Sequence, residues 1–359
     1  MRCTDRPYES GRSNRNHRSE RARRLARARR RRKIMIRRMI FLFVILCFVA
    51  GGIVFLKLNN NEQTLVAEYD TSYYDRSIYE GELYSADLCV VSEDISMESG
   101  PDTSNLKAAA LFDVEDNNTD FAYHVHERLY PASLTKLMTA LIALEEGNLS
   151  DIVTVSADAD SNRFAYDEQT CGILEGDQLT LEDLLGGLLV YSGNDNAVAI
   201  AEHIGGNTEK FAEMMNEKAN EILATNSHFV NPNGLHDENH YTTAYDMYLI
   251  FNECIKYDKF VEIIQSEKYV ADVVGKDGQT RQIEWEPTNY YALGDAELPE
   301  SGKIIGGKTG TTLKAGNCLI LLDESDSGKP YISIVMGAET KELLYQDMTD
   351  LIEGIPQNN

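Results

Sequence analysis

The chain has 359 residues, 43% of them hydrophobic, enough for one large domain or two small ones, and a formal net charge of −24. The first 38 residues hold 16 of the 34 Lys and Arg and only three of the 58 Asp and Glu, a net of +13, which leaves −37 on the remainder. An acidic bulk without a basic patch excludes binding of a phosphate backbone as its task, and six scattered cysteines without a CxxC pair exclude a dense disulfide framework or a cysteine zinc site.

Residues 1–38 read as a basic cytoplasmic tail, followed by "MIFLFVILCFVAGGIVFL", Met39–Leu56, 18 residues without a charge. At 1.5 Å per residue this run spans ~27 Å, close to the hydrocarbon core of a bilayer. It is read as a transmembrane anchor; a cleaved signal peptide with "FVAGG" as its small-residue site is the alternative. Arginine-rich flanks stay cytoplasmic, so the acidic bulk is expected outside. The tail "RARRLARARRRRKIMIRR" is accordingly assigned to topology or anionic lipid rather than to nucleic acid.

Residues 57–84 are polar, acidic and dotted with Tyr, without a sustained period, and are read as a stalk leading to a folded domain at 85–359. In that domain "LKAAALFDVE" and "DFAYHVH" flank the turn residues Asn117 and Asn118 and predict a hairpin. Pro131 introduces "ASLTKLMTALIALEEGN", apolar at 134, 137, 138, 141, 142 and 144, a mostly hydrophobic helix closed by Gly147. Further helices are expected at 180–190, 195–204, 208–224 and 243–256. The last two are separated by "NPNGLHDENH". Strands return with "GKIIGGKTGTT", "NCLILLD" and "YISIVMGAE", and "KELLYQDMTDLIEGI" predicts a final helix. Strands at both ends with helices between them imply a sheet built from distant segments and covered by helices.

Three short motifs carry chemistry. Ser133 and Lys136 stand at i and i+3, on one helix face, where an amine can take the hydroxyl proton. Ser192-Gly193-Asn194 falls at a break between two predicted helices, where a hydroxyl and an amide can project into a cleft. Lys308-Thr309-Gly310 lies in a predicted strand, with Gly310 permitting close approach of a substrate backbone. Each motif is weak alone. In this order they form the set used by penicillin-binding proteins and related β-lactamases.

The chain resembles the low-molecular-mass penicillin-binding proteins, the serine D-alanyl-D-alanine carboxypeptidases, over about residues 85–352. "RLYPASLTKLMTALIALE", "LTLEDLLGGLLVYSGNDNAVAIAEHIGG", "SHFVNPNGLHDENHYTTAYDM" and "GGKTGTTLKAGNCLILL" carry the resemblance. It implies an α/β, β-lactamase/transpeptidase-like fold, an antiparallel sheet flanked by helices, here preceded by one transmembrane helix. It also implies that Ser133 attacks the D-Ala-D-Ala carbonyl of a peptidoglycan stem peptide, with Lys136 as general base and Ser192 relaying protons. Asn194, Lys308, Thr309, Gly310 and Thr311 would bind substrate, and the N–H groups of Ser133 and Thr311 would form the oxyanion hole. Lys308 would also supply the positive field that depresses the pKa of Lys136. β-Lactams are the implied covalent inhibitors. No cofactor or metal is implied, and the place of action is the outer face of a bacterial cell membrane.

The sequence departs from the family pattern at Glu339, near the place of an arginine that often holds the terminal carboxylate. That task is assigned instead to Thr309, Thr311 and Lys341. A β-lactamase lacks support because no Glu-x-x-Leu-Asn loop stands between the second and third motifs. The same motifs also admit a D,D-endopeptidase, or an inactive module that binds the wall or senses β-lactams. His236 and His240 are four apart in "HDENH", which lacks zincin order, so structural hydrogen bonds are expected of them. One or two disulfides among Cys89, Cys171, Cys254 and Cys318 are left open.

Overall fold

The computed structural model describes residues 29–33, 35–47 and 87–356, within two units that divide after Glu82. In the first, helix α1 covers residues 29–33 and 35–47. Among the described residues no helix is long and apolar enough to cross a membrane. Residues 48–56 of the expected anchor, residues 1–28 of the tail and the expected stalk at 57–84 lie outside the described residues.

The second unit opens with strands β1 (Ala108–Asp113) and β2 (Asn118–Tyr123) and closes with β7 (Lys303–Thr312), β8 (Gly316–Glu324), β9 (Pro330–Ala338) and helix α9 (Lys341–Glu353). These strands form one sheet in the order β2-β1-β9-β8-β7, so the first and last segments of the unit pair directly. Every pairing in it is antiparallel. The central strands are buried along most of their length because both faces are covered, and the two-residue period sorts their side chains. Leu111, Leu319, Leu321 and Val335 pack with Leu344, Met348 and Leu351 of α9. Ala110, Phe112, Ile320 and Ile334 join the larger core on the other face, where Phe112 stacks on Tyr248 at 4.1 Å.

The intervening chain supplies α2 (Lys136–Glu146), α3 (Leu181–Gly186), α4 (Asn194–Gly205), α5 (Thr208–Glu221), α6 (Ala244–Cys254), α7 (Asp258–Ile264) and α8 (Tyr290–Leu293). α2 is buried from Lys136 through Ala143, as its nearly all-round apolar sequence requires. A second antiparallel sheet, β3 (Ile152–Thr154), β4 (Gln178–Thr180), β5 (Tyr269–Val274) and β6 (Thr280–Trp285), was not expected. Its strands are short, or half-exposed on a small sheet, so no long apolar run announces them. Cys89, Cys171, Cys254 and Cys318 are all free and buried, so no disulfide forms among them.

Asp323 on β8 is fully buried among apolar side chains, and burial pushes its carboxyl up to about 8 against a partial offset from Ser333. The unfolded chain therefore loses this proton near pH 4 and the folded chain near pH 8. Between those values the folded state binds more protons, and stability falls by roughly 1.4 kcal/mol per pH unit as pH rises. Asp323→Asn, which cannot ionise, is expected to gain Tm relative to the unaltered chain progressively from pH 5 to pH 8. A Tm difference that stays flat across that range would show that the carboxyl is not held protonated.

Candidate active site

The nucleophile candidate is presented by a turn rather than by the helix itself. Ala132–Thr135 forms one 3-10 turn, and α2 begins only at Lys136. Ala132 sits at φ 49°, a conformation an L-residue adopts at a cost. Gly234 backs this turn so closely that a Cβ there would lie 1.9 Å from the Ala132 carbonyl oxygen.

Lys136 is fully buried, and its Nζ has three partners: Ser133 Oγ at 2.9 Å, Asn194 Oδ1 at 2.7 Å and the Asn233 carbonyl oxygen at 2.8 Å. Burial lowers its pKa to about 7. The two amide-type oxygens can only accept, whereas a hydroxyl can donate. A neutral amine at this position therefore gives its two N–H bonds to Asn194 and Asn233 and turns its lone pair to the Ser133 hydroxyl.

Ser192 and Asn194 are set by a break in helical geometry, as their spacing led us to expect. A π-turn at Gly187–Tyr191 ends at Ser192 in the left-handed region (φ 70°), and α4 restarts at Asn194. The widened turn and the reversed residue swing the Ser192 hydroxyl toward Lys308, whose Nζ donates to it at 2.9 Å and to the Thr309 carbonyl at 2.8 Å. Lys308 is likewise buried, and its pKa is lowered well below the usual lysine range by burial first and by the Lys136 charge second. Burial is the leading cause for both amines, and the repulsion between them, being mutual, adds to it.

Gly310 also has a use beyond the one expected from sequence. A Cβ on it would meet the Pro131 carbonyl oxygen at 3.0 Å and the Ser133 and Leu134 nitrogens at 3.1 Å. The missing side chain lets β7 lie against the nucleophile turn itself. Thr309 Oγ1 is 2.6 Å from Thr288 Oγ1, and Thr311 Oγ1 is 3.3 Å from Asn317 Oδ1.

These residues open onto one cleft of about 690 Å³, lined by Ser133, Ser192, Asn194, Thr309, Gly310 and Thr311 among others. Lys341 reaches the same cleft; its Nζ is 3.2 Å from the Tyr290 hydroxyl and 4.8 Å from that ring's centroid. Glu339 is exposed, does not line the cleft, and gives its backbone N–H to Asn105. His240 is buried beside Thr135 Oγ1 at 2.8 Å, and burial lowers its pKa to about 4. No cluster of His, Cys, Asp and Glu able to hold a metal occurs among the described residues.

Sequence reasoning missed Asn233, Thr288 and the cleft residues Asp167, Glu168 and Gln169. The signal for the first was present in "NPNGL". Its turn brings the Asn233 carbonyl to Lys136 and lets the Pro232 carbonyl accept from Thr139 Oγ1 at 2.6 Å.

A family model for D-alanyl-D-alanine carboxypeptidases matches residues 96–340, which contain all three motifs. The chain belongs to that family. Among curated relatives, the D-alanyl-D-alanine carboxypeptidase DacF of Bacillus subtilis is 31% identical over 71% of this chain and 64% of its own. DacA of Haemophilus influenzae is 32% identical over 70% of this chain and 62% of its own. The chain thus spans a little under two thirds of the length of these D-alanyl-D-alanine carboxypeptidases. Among solved structures, a point mutant of the Streptomyces K15 DD-transpeptidase superposes with a TM-score of 0.64 at 26% identity, over 70% of this chain and 97% of that one. Penicillin-binding protein 5 of Haemophilus influenzae superposes with a TM-score of 0.59 at 29% identity, over 73% and 70%. The expected transpeptidase-like fold is therefore present in this member of the carboxypeptidase family.

Proposed function

We propose that the chain is a membrane-anchored serine D-alanyl-D-alanine carboxypeptidase, held by Met39–Leu56 with residues 85–359 outside the cell. It removes the terminal D-Ala of peptidoglycan stem peptides. The observation that carries this reading is the Lys136 amine 2.9 Å from Ser133 Oγ, with its other two partners both obligate acceptors. As Ser133 Oγ bonds to the penultimate carbonyl carbon, its proton passes to Lys136 Nζ. The oxyanion is met by the Ser133 N–H and the Thr311 N–H. The Thr309 carbonyl turns to Lys308 and so away from the sheet, and a two-residue period sets Thr311 on the same free edge. When the C–N bond breaks, the leaving amine takes a proton through Ser192, which Lys308 replenishes. Water then cleaves the Ser133 ester and releases the shortened stem. A β-lactam follows the same first step, but its amine stays tethered after ring opening, so the ester persists.

One measurement tests anchor and acyl-enzyme together: intact mass of membrane-extracted chain with and without benzylpenicillin. A retained N-terminus plus one adduct mapping to Ser133 is expected. A trimmed chain would sink the anchor, and an adduct elsewhere or none would sink the acyl-enzyme.

The Lys341 ammonium, held over Tyr290 at the cleft, is assigned to the terminal carboxylate of the substrate. A hydrogen bond to a charged group is worth about 1.5–3 kcal/mol, so Lys341→Ala should raise KM for a peptide ending in D-Ala-D-Ala by ~10-fold or more. Its kcat should change little. An unchanged KM would place carboxylate recognition on Thr309 and Thr311 alone.

A further inference from the structure

Asp195 follows Asn194 directly, is fully buried, and has no part in the steps above. Its carboxylate accepts the backbone N–H groups of Cys171 at 2.9 Å, Gly172 at 3.0 Å, Ile173 at 3.4 Å and Asn196 at 2.9 Å. Three of these donors are consecutive, so the segment at 171–173 wraps one carboxylate as a backbone nest. The same segment is fixed from its other side, because the Asn194 N–H donates to the Gln169 carbonyl at 2.8 Å and the Trp285 indole N–H to the Cys171 carbonyl at 3.0 Å. Asp167, Glu168 and Gln169, just ahead of this clamp, line the cleft.

We propose that Asp195 is a positioning residue of the site: its buried carboxylate clamps residues 171–173 to the start of α4, fixing Asn194 and the cleft wall, and its negative charge acts on Lys136. The electrostatic half rests on the reading of Lys136 as general base; the clamp does not. The donors around Asp195 are all N–H groups, which favour the ionised, acceptor-only carboxylate. Burial raises its pKa and these bonds oppose the rise. Asp195 adjoins Asn194, whose Oδ1 accepts from Lys136 Nζ at 2.7 Å; of the titratable groups bearing on Lys136, the Cys171 thiol of the clamped segment and then Asp195 of α4 favour the ammonium form, and Lys308 of β7 opposes it. Without that charge, burial would lower Lys136 further and neutralise the amine at more acid pH.

The test uses the full chain with Asp195→Asn and Asp195→Glu, read by amide exchange and by NMR titration of carbon-labelled lysine, Lys136 being assigned with Lys136→Met. In the unaltered protein the Cys171, Gly172 and Ile173 amides should exchange at least ~100-fold slower than in an unstructured peptide. Rapid exchange there would overturn the clamp even if neither variant folds. In Asp195→Asn the Lys136 midpoint should fall by ~0.5 unit or more, and in Asp195→Glu it should stay near that of the unaltered chain. The acid limb of β-lactam acylation should move with it, a change that simple loosening of the loop would not produce. A folded Asp195→Asn with an unmoved midpoint overturns the electrostatic role. Because the midpoint is read without turnover, failure of the unaltered chain to acylate would count against the proposed function and not against Asp195.

Discussion

Ser133→Ala is expected to abolish the benzylpenicillin adduct and to cut D-alanine release by ~10⁴-fold or more, the scale on which loss of a serine nucleophile acts. No other hydroxyl stands in its place. Ser192 accepts from Lys308, and Thr309 is paired with Thr288. The fold should be nearly indifferent, because Ser133 is only half-buried and Lys136 keeps its bonds to Asn194 and Asn233. The variant should still bind penicillin reversibly, seen as a Tm increase at high ligand concentration that disappears on dialysis. The decisive readings are intact mass after exposure and D-alanine release under saturating peptide. Persistence of either the adduct or the release would remove Ser133 from the mechanism.

The sequence made the candidate site's side chains legible because each lies in a stretch with its own local rule. A serine three residues before a lysine shares one face of a helical turn, here the 3-10 turn leading into α2, and a Ser-Gly-Asn break between two apolar helices turns side chains out of them. What it concealed were contacts made between segments far apart in the chain. The Asn233 carbonyl reaches Lys136 across 97 positions, and a backbone oxygen leaves no side-chain signature. Gly310 was recognisable as a place of close approach for a substrate backbone, but its close packing against the Ser133 turn as well is revealed only by the way β7 lies on that turn. The large sheet was foreseen from strands at both ends of the domain with helices between them. The small one escaped because β3 and β4 are three residues each and β5 and β6 expose every second side chain or more. Asp195 read as one more acid in an acidic chain, and only the loop folded around it distinguishes it.

The same burial that suits Lys136 to the proposed role of base should make it a liability to the fold, and Lys136→Met separates the two effects. The unfolded chain holds this proton to about pH 10, whereas the folded chain releases it near 7. Between those values the unfolded state binds more protons, so stability rises with pH; at and below pH 7 the folded state bears the whole cost of the buried charge. Each unit of that depression corresponds to roughly 1.4 kcal/mol. Methionine nearly fills the same volume without a charge. The variant should therefore match or exceed the Tm of the unaltered chain at pH 6, with the difference shrinking toward pH 10, although three hydrogen bonds are lost. Acylation by benzylpenicillin should meanwhile fall by ~10³-fold, within the range for loss of a general base that also orients its nucleophile. In the unaltered protein the acylation rate should drop tenfold per pH unit below about 7, where the amine takes up its proton. A rate independent of pH from 5 to 8, or a variant destabilised equally at pH 6 and pH 10, would show that Lys136 is not held near neutrality. In the second case the lone pair directed at Ser133 would not be available at physiological pH.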